Sequence, residues 1–282
     1  MKFIDKLINS FNDSNSHLCI GLDSRYDKLP QIVKKSSTIE QSIFTFNKQV
    51  IDTTHDIVVA YKINVAFYAG FGKDGLEALR LTNEYIRNNY SSIPLLADCK
   101  RSEMGESVLM VKQEIFDWLN FDCIMVTPWF GIDTVKEYLK WDEKGVCVYV
   151  HDSNPSAIEF QDLELKDGRQ VYEVVAQNVS RNWNINKNIF VEAGLTYPKQ
   201  LKRIREIVGQ NMPILTSGIG PQGGDIKNLS GLFGKDGRRL MLNSSRQIIF
   251  AGIDKKDYLT YIRKAAEELR MNLLKLSRVD LI

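Results

Sequence analysis

Ile93-Pro94-Leu95-Leu96-Ala97-Asp98-Cys99-Lys100-Arg101-Ser102-Glu103 runs from an apolar segment straight into a cluster of charges. Its first five residues read as a short buried strand, and Met104 to Leu119 beyond it read as an amphipathic helix. Asp98, Lys100 and Glu103 therefore stand at the carboxyl end of a strand, in a strand-to-helix loop. Alternate strand residues share a face, which points Asp98 and Lys100 the same way. Charges crowded at the mouth of a parallel sheet are costly in a purely structural role and useful in a catalytic one.

Similar runs recur on both sides of this one. The strands expected are Leu18–Asp23, Ile57–Lys62, Pro94–Lys100, Cys123–Thr127, Val146–His151, Ile189–Ala193, Pro213–Thr216 and Leu240–Asn243. Each is nearly continuous in Val, Ile, Leu and Cys, as strands buried on both faces should be. Between and after them the spacing predicts helices over Ile39–His55, Lys73–Asn89, Gly105–Leu119, Ile132–Lys140, Gly168–Trp183, Pro198–Val208 and Lys255–Leu276. Ser36-Ser37-Thr38 suits the N-terminal cap of the first, and Pro198 the first turn of its helix. Strands alternating with helices, without a linker, predict one (β/α)8 TIM barrel over residues 1–282. An open doubly wound sheet is the alternative that periodicity leaves standing. Two long loops are expected, Asp152–Lys166 and Ser217–Gly237; the Lys227–Lys235 end of the second reads as a surface insertion.

Composition narrows the function classes. Of 282 residues, 37 are Lys or Arg and 35 are Asp or Glu, a net charge of +2 that gives no support to nucleic-acid binding. No apolar run approaches the roughly 18 residues of a membrane span, and Met1-Lys2-Phe3-Ile4-Asp5-Lys6 is no signal peptide. Cys19, Cys99, Cys123 and Cys147 have no CxxC pairing and read as buried free thiols of a cytoplasmic protein. Without HExxH or a Cys/His cluster, no metal is expected. No GxSxG elbow appears, which argues against a serine hydrolase. Trp118, Trp129, Trp141 and Trp183 read as packing residues, and His151 as a hydrogen-bonded structural one.

The strand ends carry a pattern. The first strand ends on Asp23, the second on Lys62, and the third on Asp98 and Lys100. In a barrel these ends are neighbours, and an alternating network keeps each group ionised. The residues alone fit a catalytic network and a mouth-lining salt-bridge network equally. A separate signal follows the seventh strand, in the Gly-rich run Thr216-Ser217-Gly218-Ile219-Gly220-Pro221-Gln222-Gly223-Gly224-Asp225, with Asn243-Ser244-Ser245-Arg246 after the eighth. Glycines let backbone N–H groups approach an anion, and these two loops are the usual phosphate site of such barrels. Arg246 offers a bidentate contact and Gln222 an amide donor.

From about Cys19 to Ala251 the chain resembles the orotidine 5′-phosphate decarboxylase family, in its longer subgroup. The resemblance rests on Cys19-Ile20-Gly21-Leu22-Asp23, Tyr61-Lys62-Ile63-Asn64-Val65-Ala66-Phe67-Tyr68, Ala97-Asp98-Cys99-Lys100-Arg101, Ser153-Asn154-Pro155-Ser156, Gly218–Asp225 and Asn243–Arg246, all in the family's order. It implies a cofactor-free carboxy-lyase that makes UMP and CO2 from orotidine 5′-phosphate in pyrimidine synthesis. It also implies a homodimer with sites at the interface. Asp23 and Lys62 would hold the ribose hydroxyls, Asp98 would crowd the substrate carboxylate, and Lys100 would stabilise and protonate the carbanion at C6. Ser153 would meet the pyrimidine amide edge; Gln222 and Arg246 would hold the phosphate. Asn64, Pro155, Gly218, Gly220 and Ser245 complete the expected substrate contacts, with Glu103 and Ser107 reaching the partner's site.

The chain departs from the family pattern around the reacting ring. Asp-x-Lys-x-x-Asp ends here on Glu103, one methylene longer, followed by Met104 where isoleucine is usual. Ser217 and Ile63 replace usual prolines, and Asp152 a common threonine. Two other readings follow: a diverged relative that binds a nucleoside monophosphate without turning it over, and another phosphosugar enzyme of the same barrel superfamily.

Overall fold

In the computed structural model, which describes residues 1–35 and 38–279, eight parallel strands close on themselves in sequence order. They are β1 (Leu18–Gly21), β2 (Ala60–Asn64), β3 (Leu95–Arg101), β4 (Cys123–Val126), β5 (Gly145–His151), β6 (Ile189–Gly194), β7 (Ile214–Ser217) and β8 (Leu240–Ser244). β1 pairs with β8, with Cys19 opposite Asn243, so the ring leaves no edge and the open-sheet alternative falls.

The helices differ from expectation mainly at their ends. Ile39–Thr54 begins at a reciprocal cap in which Gln41 N donates to Thr38 Oγ1 at 3.1 Å and Thr38 N to Gln41 Oε1 at 3.4 Å. Ser36 and Ser37 of the expected cap lie outside the described residues. The helix expected over Gly105–Leu119 is α-helical only over Ser107–Lys112 and continues as a π-helix over Gln113–Trp118. Trp118 and Trp129 are exposed rather than packed inside. The Lys227–Lys235 stretch is no loose insertion: Leu229, Leu232 and Phe233 are buried. Behind them the buried Arg205 guanidinium donates to the carbonyls of Leu232, Gly209, Met212 and Arg239. No helix among the described residues is long and apolar enough to cross a membrane.

The sequence reading missed the helix Phe3–Ser14, which closes the amino-terminal end of the barrel. Phe3, Leu7 and Phe11 recur every four residues, form one face, and are buried against the barrel interior. The Phe3 ring stacks on Phe190 at 5.7 Å. It also lies where a Cβ on Gly145 would meet it at 2.3 Å, so β5 must start with glycine. Lys6 pairs with Asp122 at 3.0 Å, and Asp122 also takes Arg87 at 2.8 Å and the Leu95 N–H.

Inside the ring the two-residue period of the strands separates two layers. Ala60, Leu96, Cys147, Phe190, Leu215 and Met241 form an apolar layer over that helix. Two residues further on, Lys62, Asp98, Tyr149, Glu192, Ser217 and Asn243 line a cavity at the carboxyl end.

Candidate active site

That cavity has a volume of about 600 Å³. Its centre is Asp98, in the middle of β3 and 4% exposed. Lys62 Nζ from β2 reaches Asp98 Oδ2 at 2.5 Å, and Lys100 Nζ reaches Oδ1 at 2.5 Å. Tyr149 OH donates to the same Oδ1 at 2.7 Å. Burial would raise the Asp98 carboxyl, but the two ammonium groups outweigh it and hold it well below the usual carboxylate range. Burial likewise opposes the charge of Lys62, and Asp98 with Asp23 outweighs it, so that ammonium is held above its ordinary value. Asp98 and Lys62 are thus held ionised, and Lys100 donates to the same carboxylate.

Lys100 reaches Asp98 by a different route from simple strand alternation. Its φ is +49°, and the register between β3 and β4 shifts between Ala97 and Arg101. This bulge turns the Lys100 side chain over the Tyr149 ring, with Nζ 5.1 Å from the ring centre. Lys100 stays half exposed, so its ammonium faces the open cavity while Lys62 is closed in.

At one flank Asp23 accepts from Asn64 N at 3.1 Å and from Ser245 Oγ at 2.6 Å. Gly21 permits this approach, since a Cβ there would meet Ser245 Oγ at 1.8 Å. At the other, Gln222 Nε2 donates to Ser153 Oγ at 3.1 Å, joining the loops after β5 and β7. Gly218 has φ +105° and Gly220 +78°, and the Gly-rich turn closes by Gly224 N donating to Gly218 O at 3.0 Å. A Cβ on Gly220 would meet the Gln247 amide at 2.4 Å. Arg246, the first residue of the short helix Arg246–Ile249, lines the cavity next to this turn.

Of the residues singled out in the sequence, Asp23, Lys62, Asn64, Asp98, Lys100, Ser153, Gly218, Gln222, Ser245 and Arg246 line one cavity. Four do not. Gly220 shapes the turn from behind, and Pro155 opens the 3-10 turn Pro155–Glu159 with its carbonyl accepting from Tyr197 OH. Glu103 folds back onto Arg101 at 3.3 Å and accepts from Ser102 N at 3.0 Å. Ser107 Oγ donates to Met104 O. Neither Glu103 nor Ser107 enters the cavity of its own chain. Sequence reasoning passed over Tyr149 and Glu192. The only signal for Glu192 is a lone acid inside the apolar run Ile189–Gly194. His151 is buried between Asp152 O and Asp162 Oδ1, both at 3.0 Å, as a structural residue.

Fold and site together define a (β/α)8-barrel protein with its charged groups at the carboxyl ends of the strands, where barrels of this kind carry out their chemistry. The model of the orotidine 5′-phosphate decarboxylase / HUMPS family matches residues 16–261. An orotidine 5′-phosphate decarboxylase of Cellvibrio japonicus is 36% identical over 275 residues, 97% of this chain and 98% of that protein. One of Ralstonia nicotianae is 36% identical over 272 residues, 96% and 97% of the two chains. The solved Leishmania donovani OMP decarboxylase superposes with a TM-score of 0.82 at 28% identity, covering 98% of this chain and 99% of that one. The chain belongs to the orotidine 5′-phosphate decarboxylase / HUMPS family.

Proposed function

We propose that this chain converts orotidine 5′-phosphate to UMP and CO2, in the cytoplasm. The observation that carries the reading is the Lys62–Asp98–Lys100 chain, with one ammonium closed in and the other facing the cavity. The near full-length similarity to decarboxylases favours turnover over the two other readings. As the bond from C6 to the carboxyl group breaks, its electron pair stays on C6 and CO2 leaves. In this reading the Lys100 ammonium stabilises that developing charge and then gives C6 its proton. A fixed charge of this kind favours the transition state over the ground state. Asp98, held ionised, repels the substrate carboxylate and orients Lys100. Asp23, Lys62 and Asn64 serve the ribose, and Ser153 the base. Gln222, Arg246 and the backbone of the Gly-rich turn serve the phosphate, whose distant binding energy orients the ring.

The working unit in this reading is a homodimer in which Glu103 and Ser107 enter the partner's cavity. Supporting it is an exposed apolar face beside them, with Met104, Leu109, Met110, Trp129 and Phe130 open to solvent. The test is the fall in ultraviolet absorbance of orotidine 5′-phosphate for wild type, Lys100→Ala, Glu103→Gln and Glu103→Asp. Wild type is expected to turn over; Lys100→Ala and Glu103→Gln are not. Mixing those two inactive variants should restore about a quarter of wild-type activity, because heterodimers keep one native site each. A wild type that binds UMP without consuming substrate refutes the decarboxylase. A mixture that stays inactive although heterodimers form refutes the shared site.

A further inference from the structure

Glu192 stands in the polar layer on β6, two residues beyond Phe190, and the chemistry above gives it no role. The residue is 3% exposed. Ser217 Oγ donates to its Oε1 at 2.5 Å, while Oε2 is buried without a hydrogen-bond partner. A buried polar atom without a partner is costly in a folded chain. Here it belongs to a side chain that lines the cavity. The end of the cavity concerned is fixed by Gly194 at the end of β6. A Cβ there would meet Ser153 Cα at 2.7 Å, so the Asp152–Ser153 loop lies directly on the end of Glu192's own strand.

We propose that the Glu192 carboxyl, after a small rotation that brings its unpartnered Oε2 edge to the cavity, donates a hydrogen bond to a carbonyl oxygen of the pyrimidine ring. It is then a positioning and specificity residue for a uracil-type base. The inference rests on the nucleotide reading of the site given above. A neutral acid is a donor, whereas its carboxylate is only an acceptor and would meet the carbonyl with a negative charge.

The groups facing Glu192 keep it neutral at physiological pH. Burial, then the Asp152 carboxyl, pushes it up to about 8; Asp98 adds to this, against the Ser217 hydrogen bond and Lys62. Burial also raises Asp152. From β5, Tyr149 lines the same cavity and Cys147 lies in the apolar layer beneath it, and burial holds both well above their ordinary values. β7 and β8 contribute the uncharged Ser217 and Asn243.

Calorimetric binding of UMP and of ribose 5-phosphate to the full chain at pH 7, 8 and 9, for wild type and Glu192→Gln, tests this. Wild-type affinity for UMP should fall about tenfold from pH 7 to 9 as the donor ionises. Ribose 5-phosphate, which has no base, should bind with a flat profile. Glu192→Gln, whose amide donates without titrating, should bind UMP with a flat profile too, and its ribose 5-phosphate binding reports that the site has folded. The proposal is overturned by a flat wild-type UMP profile, by a fall that persists in Glu192→Gln, or by a parallel fall for ribose 5-phosphate. UMP binding with the expected profiles but no turnover would remove the decarboxylase and leave this inference standing. No UMP binding at any pH would overturn both.

Discussion

Replacing Asp98 with asparagine keeps the shape of the site and removes the charge at its centre. The cost falls unequally on the two lysines. Lys62 has a side chain 7% exposed and Lys100 one 47% exposed. Water can take over the solvation of Lys100, and exposed pairs of that kind contribute about 0–1 kcal/mol. Lys62 cannot be rehydrated in place, and removing one partner of a buried pair costs about 3–5 kcal/mol. Asp23 also favours the charged Lys62, which puts the expected loss near the lower end, about 3 kcal/mol. For a chain of this size that is a fall in Tm of roughly 6–12 °C at pH 7. The sign of the pH dependence follows from the depressed Asp98 carboxyl. Its stabilisation is complete above the unfolded value of about 3.9 and is lost as the pH falls below it. Thermal unfolding followed by circular dichroism from pH 7 to 3 should therefore show the two Tm values converging in acid. Asp98→Asn/Lys62→Met, which removes both charges, should recover most of the loss at pH 7. An Asp98→Asn protein as stable as wild type at pH 7, or a gap that widens in acid, would refute the reasoning.

Two further variants separate binding from folding. Arg246→Ala, at the exposed start of Arg246–Ile249, should raise KM for orotidine 5′-phosphate by roughly 10- to 100-fold, the worth of one charge-assisted hydrogen bond. Its Tm should not change; steady-state kinetics beside a melting curve checks this, and an unchanged KM sinks the phosphate assignment. Leu7→Ala, in the helix under the barrel, should cost about 2–5 kcal/mol. The urea midpoint should drop while the residual folded protein keeps its KM, because Leu7 touches the apolar layer and not the cavity.

The barrel was legible because its strands are buried on both faces: runs such as Cys123–Val126 have no polar side to confuse their period. Their starts were less clear. The apolar run Ile57–Lys62 predicts a strand from Ile57 onward, yet His55–Ile57 is a 3-10 turn that still buries Ile57, and burial alone looks the same in either. The helix Phe3–Ser14 was passed over although Phe3, Leu7 and Phe11 carry its period, since nothing local says that a barrel end needs a plug. The site residues could be chosen by type at the strand ends. The positive φ of Lys100 could not, because it is set by the bulge against β4 rather than by neighbours in sequence. Tyr149 looked like one more apolar strand residue; only the closed ring brings its hydroxyl to Asp98.

The two interior layers explain why such a costly site is tolerated. The polar layer holds a buried ammonium, a buried carboxylate and unpartnered oxygens on Glu192 and Asn243, each a burden on the fold. One pleat below, Ala60, Leu96, Phe190 and Met241 continue the same strands as a dry core sealed by Phe3, Leu7 and Phe11. Side-chain direction along a strand is fixed by its period, so the barrel residues that build this core also set the positions of the polar ones two places on. Lys62 is held over Ala60, Asp98 over Leu96, and Glu192 over Phe190. Precision at the mouth is thus inherited from packing at the base. A core substitution that shifts a strand by a fraction of its rise should therefore lower kcat before it unfolds the chain, since roughly 1 Å of misplacement can cost about a hundredfold in rate.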